Sequence, residues 1–142
     1  MRKAIAPDGS EHHSLITALV VLDVDKAIEF YGQAFGSSEI LRIPGPGGET
    51  GHGQIRIGDT ILFLAAEPNN RDTYVSPESL GGTTCGVYSY WDDCDAAFKR
   101  AVSAGAAPVD KPQNLPWGDR VGLVRDPFGH LWSLATRLAN DA

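Results

Sequence analysis

Apolar residues change their spacing several times along this chain, and each change marks an element. "SLITALVVL" at 14–22 is continuous, apolar and rich in β-branched residues, the pattern of a buried strand. Over 23–36 the period lengthens. Ala27, Phe30, Tyr31, Ala34 and Phe35 fall on one face of a helix, and Gly36 stands where a helix terminator belongs. "SEILRI" (38–43) returns to a strand, and "PGPGGE" (44–49) is a loop. "GHGQIRI" (51–57), "GD" (58–59) and "TILFLA" (60–65) read as a hairpin with a short turn. The segment 67–84 is long, polar and broken by Pro and Gly, so it reads as a linker.

After the linker the same order returns. "CGVYSYW" (85–91) predicts a strand, "DDCDAAFKRAVSAG" (92–105) an amphipathic helix, and "APVDK" (107–111) a short strand. "WGDRVGLVRDPFGHLW" (117–132) and the residues after it predict a second hairpin, with strands near 119–126 and 130–136. Each half therefore reads β-α-β-β-β. Asp23 and Gly36 lie 13 positions apart, as do Asp92 and Gly105, and "TILFLA" and "HLWSLA" close the two units alike. A repeat on this scale is informative because one such unit alone leaves a sheet face unburied. Aligning the halves sets Ser133 against Phe63 and Arg120 against His52, with the second turn two residues longer. Asp126, Pro127 and Gly129 are there to reverse the chain, and His130 in that turn is structural. The expected organisation is a polar tail (1–13), a first module (14–66), a linker (67–84), a second module (85–137) and a short tail (138–142).

Paired βαβββ modules and the words "DKAIEFYGQAFG", "IRIGDTILFLA", "SPESLGGTT", "WGDR" and "DPFGHLWSLAT" carry a resemblance that covers roughly residues 14–137. The chain resembles the vicinal-oxygen-chelate superfamily of glyoxalases, bleomycin-resistance proteins and extradiol dioxygenases, in its PhnB-like branch. The resemblance implies an α+β fold: two tandem βαββ(β) modules forming a U-shaped mixed sheet around a central cavity, with helices on the convex side. It also implies pairing into a homodimer. In the metal-dependent members, ligands stand on the first and last strands of each module. Carried over, those places fall on Ile16, Phe63, Gly86 and Ser133, which are not a usable ligand set. A one-residue shift in the second module would offer Cys85, still without a partner. The expectation is no metal and no other cofactor.

Residues two apart on a strand share a face, so the same places define a lining. Ile16, Ala18 and Val20 are expected to point into the U from the first module, and Gly86, Tyr88 and Tyr90 from the second. Phe63 and Ser133 join them, with His52, Arg120 and Trp117 at the mouth. Leu19, Val21, Trp91, Trp132 and Leu134 have the opposite parity and are expected in the core. Tyrosine and tryptophan suit an apolar pocket with a polar occupant, because each couples an apolar body to a polar tip.

Composition narrows the function classes. The 142 residues are 42% hydrophobic and 21% charged, ordinary values for a globular domain. The net charge is −6 and the basic residues are scattered, which argues against a nucleic-acid partner. No apolar run approaches the roughly 18 residues of a membrane span, and "AIAPDGSEHH" lacks the apolar stretch of a signal peptide. Cys85 and Cys94 are too few for a disulfide framework and read as reduced thiols of a cytoplasmic protein. The adjacent His12 and His13 would point to opposite faces of a strand and make a poor chelate. Two functions are compatible with these features. One is metal-independent binding of an aromatic or amphiphilic small molecule, such as an antibiotic or secondary metabolite. The alternative is a metal-independent isomerase, lyase or cyclase with His52, which flanking glycines give room, as general base.

Overall fold

The structure, a computed structural model, describes residues 4–70 and 72–139. The first module runs β1 (Ala18–Val21), α1 (Val24–Phe35), β2 (Ser38–Pro44), β3 (Thr50–Ile57) and β4 (Thr60–Ala66). A single helical turn, α2 (Pro77–Leu80), lies in the connection. The second module runs β5 (Gly86–Tyr90), α3 (Cys94–Ala104), β6 (Ala107–Asn114), β7 (Asp119–Arg125) and β8 (Leu131–Arg137). The fold is thus α+β with two βαβββ modules, as the periodicities predict. Each module forms its own four-stranded mixed sheet, ordered β1-β4-β3-β2 and β5-β8-β7-β6.

Local chemistry starts and stops the helices. Asp23 caps α1 by accepting from the Lys26 N–H at 3.0 Å, and Asp93 caps α3 by accepting from Ala96 N–H at 3.1 Å. The cap of α3 is therefore Asp93, one residue later than the 13-residue spacing predicts. The buried face of α1 comprises Val24, Ala27, Ile28, Phe30, Tyr31, Ala34 and Phe35. Each large side chain there contributes about 1.5–3 kcal/mol by leaving water. Gly53 lets this helix lie close on β3, since a Cβ there would stand 3.0 Å from both Ile28 and Val24.

α1 and α3 pack on each other, and a single core joins Leu19, Val21 and Leu64 of one sheet to Val124, Trp132 and Leu134 of the other. Trp91 packs against its edge. The helices therefore lie between the two sheets, and the helix-free faces point outward. The U is not closed within one chain: the two faces expected to line it belong to separate sheets.

The clasp between the modules is the Asp126–His130 turn. Asp126 Oδ1 accepts from the Phe128 and His130 N–H groups, each at 2.9 Å. Its Oδ2 accepts from Trp132 Nε1 at 2.9 Å and from the Tyr31 hydroxyl of α1 at 2.5 Å. Burial, together with the facing carboxylate, pushes the Tyr31 phenol well above its ordinary pKa. His130 Nε2 donates to the carbonyl of Val20 in β1 at 2.9 Å. Gly129 has φ +89°, and a Cβ there would fall 2.7 Å from Cβ of Pro77 in α2. This turn reverses the chain, as read from the sequence, and it also ties the second module to the first.

The segment 4–13, part of the expected polar, partly ordered tail, is a folded-back loop. Ile5 and Glu11 form a bridge, and Ala6 and His12 are buried. Arg56 of β3 holds it through Asp8 (2.9 Å) and the Ser10 hydroxyl. The remainder of the two expected tails, residues 1–3 and 140–142, lies outside the described residues, as does residue 71 of the expected linker.

Candidate functional site

Pairing registers show which expected lining residues come together. Ala18 and Gln54 flank Phe63 on the first sheet, and His52 lies beside Ala65 in the next row. The His52 ring meets the Phe63 ring edge-on at 5.0 Å, and His12 of the folded-back loop meets it edge-on at 5.8 Å. Gln54 Nε2 lies 3.1 Å from His52 Nε2, so the amide donates and the imidazole accepts. Gln54 Oε1 and His12 Nδ1 are buried with no hydrogen-bond partner. Val20 is buried, Ile16 half-buried and Ala18 exposed.

On the second sheet, Tyr88 pairs with Ser133 and Tyr90 with Ala135, while Gly86 pairs with Leu131. The hydroxyls of Tyr88 and Tyr90 converge on Asp119 Oδ2 at 2.7 and 2.8 Å. Trp117 Nε1 donates to the Tyr88 oxygen at 3.2 Å. Arg137 donates from Nη1 to Asp119 Oδ1 at 3.2 Å and to the Trp117 carbonyl at 2.8 Å. Asp119 is 1% exposed, yet Tyr88, Tyr90 and Trp117 are 45, 63 and 58% exposed. One buried carboxylate thus anchors two solvent-facing tyrosines directly, and Trp117 through its bond to Tyr88. Donation from Tyr88, then from Tyr90 and Arg137, holds the Asp119 carboxyl below its ordinary pKa. Partial desolvation first, and the adjacent carboxylate after it, raises Tyr88. The bond to Asp119 raises Tyr90. Both phenols stay neutral donors around neutral pH.

Arg120 is not at this face. His52 pairs with Ala65 and Val121 with Ala135, so Val121 answers to His52 and Arg120 has the opposite parity. Arg120 points to α3, where Nε and Nη2 meet the Asp95 carboxylate at 2.7 and 3.0 Å. The reason is turn length. Three residues separate Asp126 from His130 and two separate Ile57 from Thr60, so the second turn is one residue longer, not two. A one-residue slip transfers a side chain to the other face.

Asp119, Gln54 and His12 are the residues that sequence reasoning missed. Gln54 follows His52 by two and shares its face, a signal open to parity alone. Asp119 carries no such local signal, because its partners come from β5 and β8.

The positions where the resemblance places metal ligands carry Ile16, Phe63, Gly86 and Ser133. Three of the four have no donor atom in the side chain, so this donor set does not fit a divalent metal.

Comparison with known proteins agrees with this architecture. A relative from Mycobacterium bovis, an uncharacterized protein, is 44% identical over 118 residues, spanning 82% of this chain and 78% of its own. The crystal structure of TioX from Micromonospora sp. ML1 superposes with a TM-score of 0.70 at 31% identity, covering 89% of this chain and 99% of that one. A bleomycin-binding protein complexed with bleomycin shares the fold, with a TM-score of 0.62 at 20% identity over 88% of this chain and 98% of that one. The model of the Glyoxalase/Bleomycin resistance protein/Dioxygenase superfamily matches residues 12–134, and the chain belongs to that superfamily.

Proposed function

We propose that this chain is a metal-independent small-molecule-binding protein that works as a homodimer in the cytoplasm. Its ligand is aromatic or amphiphilic, of the antibiotic or secondary-metabolite kind, and lies between sheet faces of two copies. The observation that carries this reading is the exposure of Tyr88, Tyr90 and Trp117 around the buried Asp119. Large aromatic surface left open on a sheet, and held rigid by a desolvated carboxylate, suits contact with a flat apolar partner. The Phe63 face supplies a second wall, with the unpartnered Gln54 Oε1 and His12 Nδ1 available for polar atoms of a ligand. Within one chain these walls point apart, because α1 and α3 lie between them. A cavity bounded on both sides therefore calls for another copy. The bleomycin complex of the 20%-identical neighbour lends the ligand class its precedent.

Native mass spectrometry of protein taken from its source tests this directly. The expected species is two chains, rather than the 15.2 kDa of one, carrying a small molecule of unaltered mass. Phe63→Ala and Trp117→Ala should each lower affinity for that molecule by about a factor of ten or more. A monomer with no companion molecule would defeat the proposal. Steady conversion of the molecule, abolished in His52→Ala, would favour the enzymatic alternative.

A further inference from the structure

β1 and β5 run along the open edges of their sheets, and the gaps beside them differ. Ala18 and Phe63 stand opposite each other as Tyr88 and Ser133 do 70 positions later, so Tyr90 is the counterpart of Val20. By the same count Thr60 is the counterpart of His130. Beside β1, the second module's turn fills the gap. His130 donates to the Val20 carbonyl, and the Phe128 ring stands edge-on to Phe30 and Tyr31, each at 5.8 Å. Beside β5, the first module's turn is one residue shorter and brings no ring. Thr60 bonds its own neighbour, Asp59, at 2.8 Å. A cleft of about 640 Å³ remains between β5 and the Ile57–Leu62 turn, floored by Phe35, Trp91 and Trp132.

We propose that this cleft is a second small-molecule site, on the helix side of β5, and that it takes an arylalkylammonium: a flat ring bearing a protonated amine. The proposal does not rest on the function proposed above. The twin gap shows the shape required, because the chain fills it with a phenyl ring and an N–H donor aimed at a strand carbonyl. That carbonyl has its counterpart here. The Trp91 N–H donates to Ala135 O at 2.7 Å, and bonds in a parallel ladder alternate along the strand. The backbone groups of Tyr90 therefore turn away from β8, toward the open edge. Charge selects an ammonium over a neutral amide. The cleft is lined by the carboxylates of Asp59 and Asp92, with no lysine or arginine among its described lining residues. Aromatic walls add attraction for a cation.

The chain has three tryptophans, so its indole N–H signals in nitrogen-edited NMR report the site directly. Titration of the full-length protein with phenethylammonium should shift the Trp91 and Trp132 signals saturably and leave Trp117 unmoved. Phenethyl alcohol, the neutral analogue, should bind at least about tenfold more weakly, as should phenethylammonium to the Asp59→Asn/Asp92→Asn variant. Thr60→His, which places an imidazole where the other module has one, should close the cleft and abolish the shifts. A shift largest at Trp117, equal binding of the alcohol, or binding to Thr60→His as tight as to the parent would each overturn the proposal. So would a titration that does not saturate.

Discussion

The hairpin turns of the two modules occupy related places and do different work. Ile57–Thr60 hangs over a cleft, whereas the Asp126–His130 turn buries Asp126, Phe128 and His130 and holds the modules together. At the corresponding positions the second module's turn has Asp126 with Tyr31 and Trp132 around it, and the first module's turn has Ile57 with Ala101 and Leu62. One extra residue, one carboxylate and two larger aromatics convert a surface turn into a clasp. A repeat can keep its fold while one copy takes over the joining of both, because the polar groups the clasp buries are all paired.

The largest expected effect separates these turns. Asp126→Ala strands the Tyr31 hydroxyl and the Trp132 indole N–H in the core and should cost about 3–5 kcal/mol, read by denaturant unfolding. Ile57→Ala, at the matching position, should cost no more than about 1–1.5 kcal/mol, since Ile57 is only half-buried. Equal costs would erase the distinction. Next comes Tyr31→Phe, which removes one charge-assisted bond and leaves three; about 1.5–3 kcal/mol is expected in the same assay. A smaller effect concerns pH. The Asp119 pKa is lowered on folding, so its contribution is present above the ordinary carboxylate pKa and is lost as pH falls through the depressed folded value. Thermal melts from about pH 5 down to about pH 3 should therefore fall less steeply for Asp119→Asn than for the parent. The smallest effect is assigned to Arg120→Ala. Its ion pair with Asp95 is partly exposed, so the melting temperature should barely move and ligand titrations should match the parent. Lost ligand affinity in that variant would return Arg120 to the sheet face.

The sequence made the modules legible because alternation and helical period are local properties. Asp23, Gly36 and Gly105 announce helix ends through their own backbone preferences. Phe63, Tyr88 and Tyr90 could be assigned to the faces away from the helices by parity within a strand, although those faces were expected to line one U and belong to two separate sheets. Arg120 could not, because its face depends on register across a turn, and "DPFGH" does not display how many of its residues belong to the strands. The Asp119 cluster was hidden for a related reason: the partners of its carboxylate, Tyr88, Tyr90 and Arg137, are distant in sequence and meet it only when β5, β7 and β8 align. The docking of residues 4–13 was hidden too, since a polar segment is held there by bonding Arg56 and packing His12 on Phe63.

The short turn at Gly58–Asp59 bears on how the molecule can change over generations. Both residues are exposed, and a Cβ added at Gly58 would meet nothing within 4 Å, so insertions there reshape the rim of the cleft without disturbing either sheet. The corresponding place in the other half is closed to such experiments, because Pro77 lies against Gly129 and Asp126 binds the Phe128 and His130 N–H groups. Length variation among descendants should accumulate at one hairpin tip and be purged at the other.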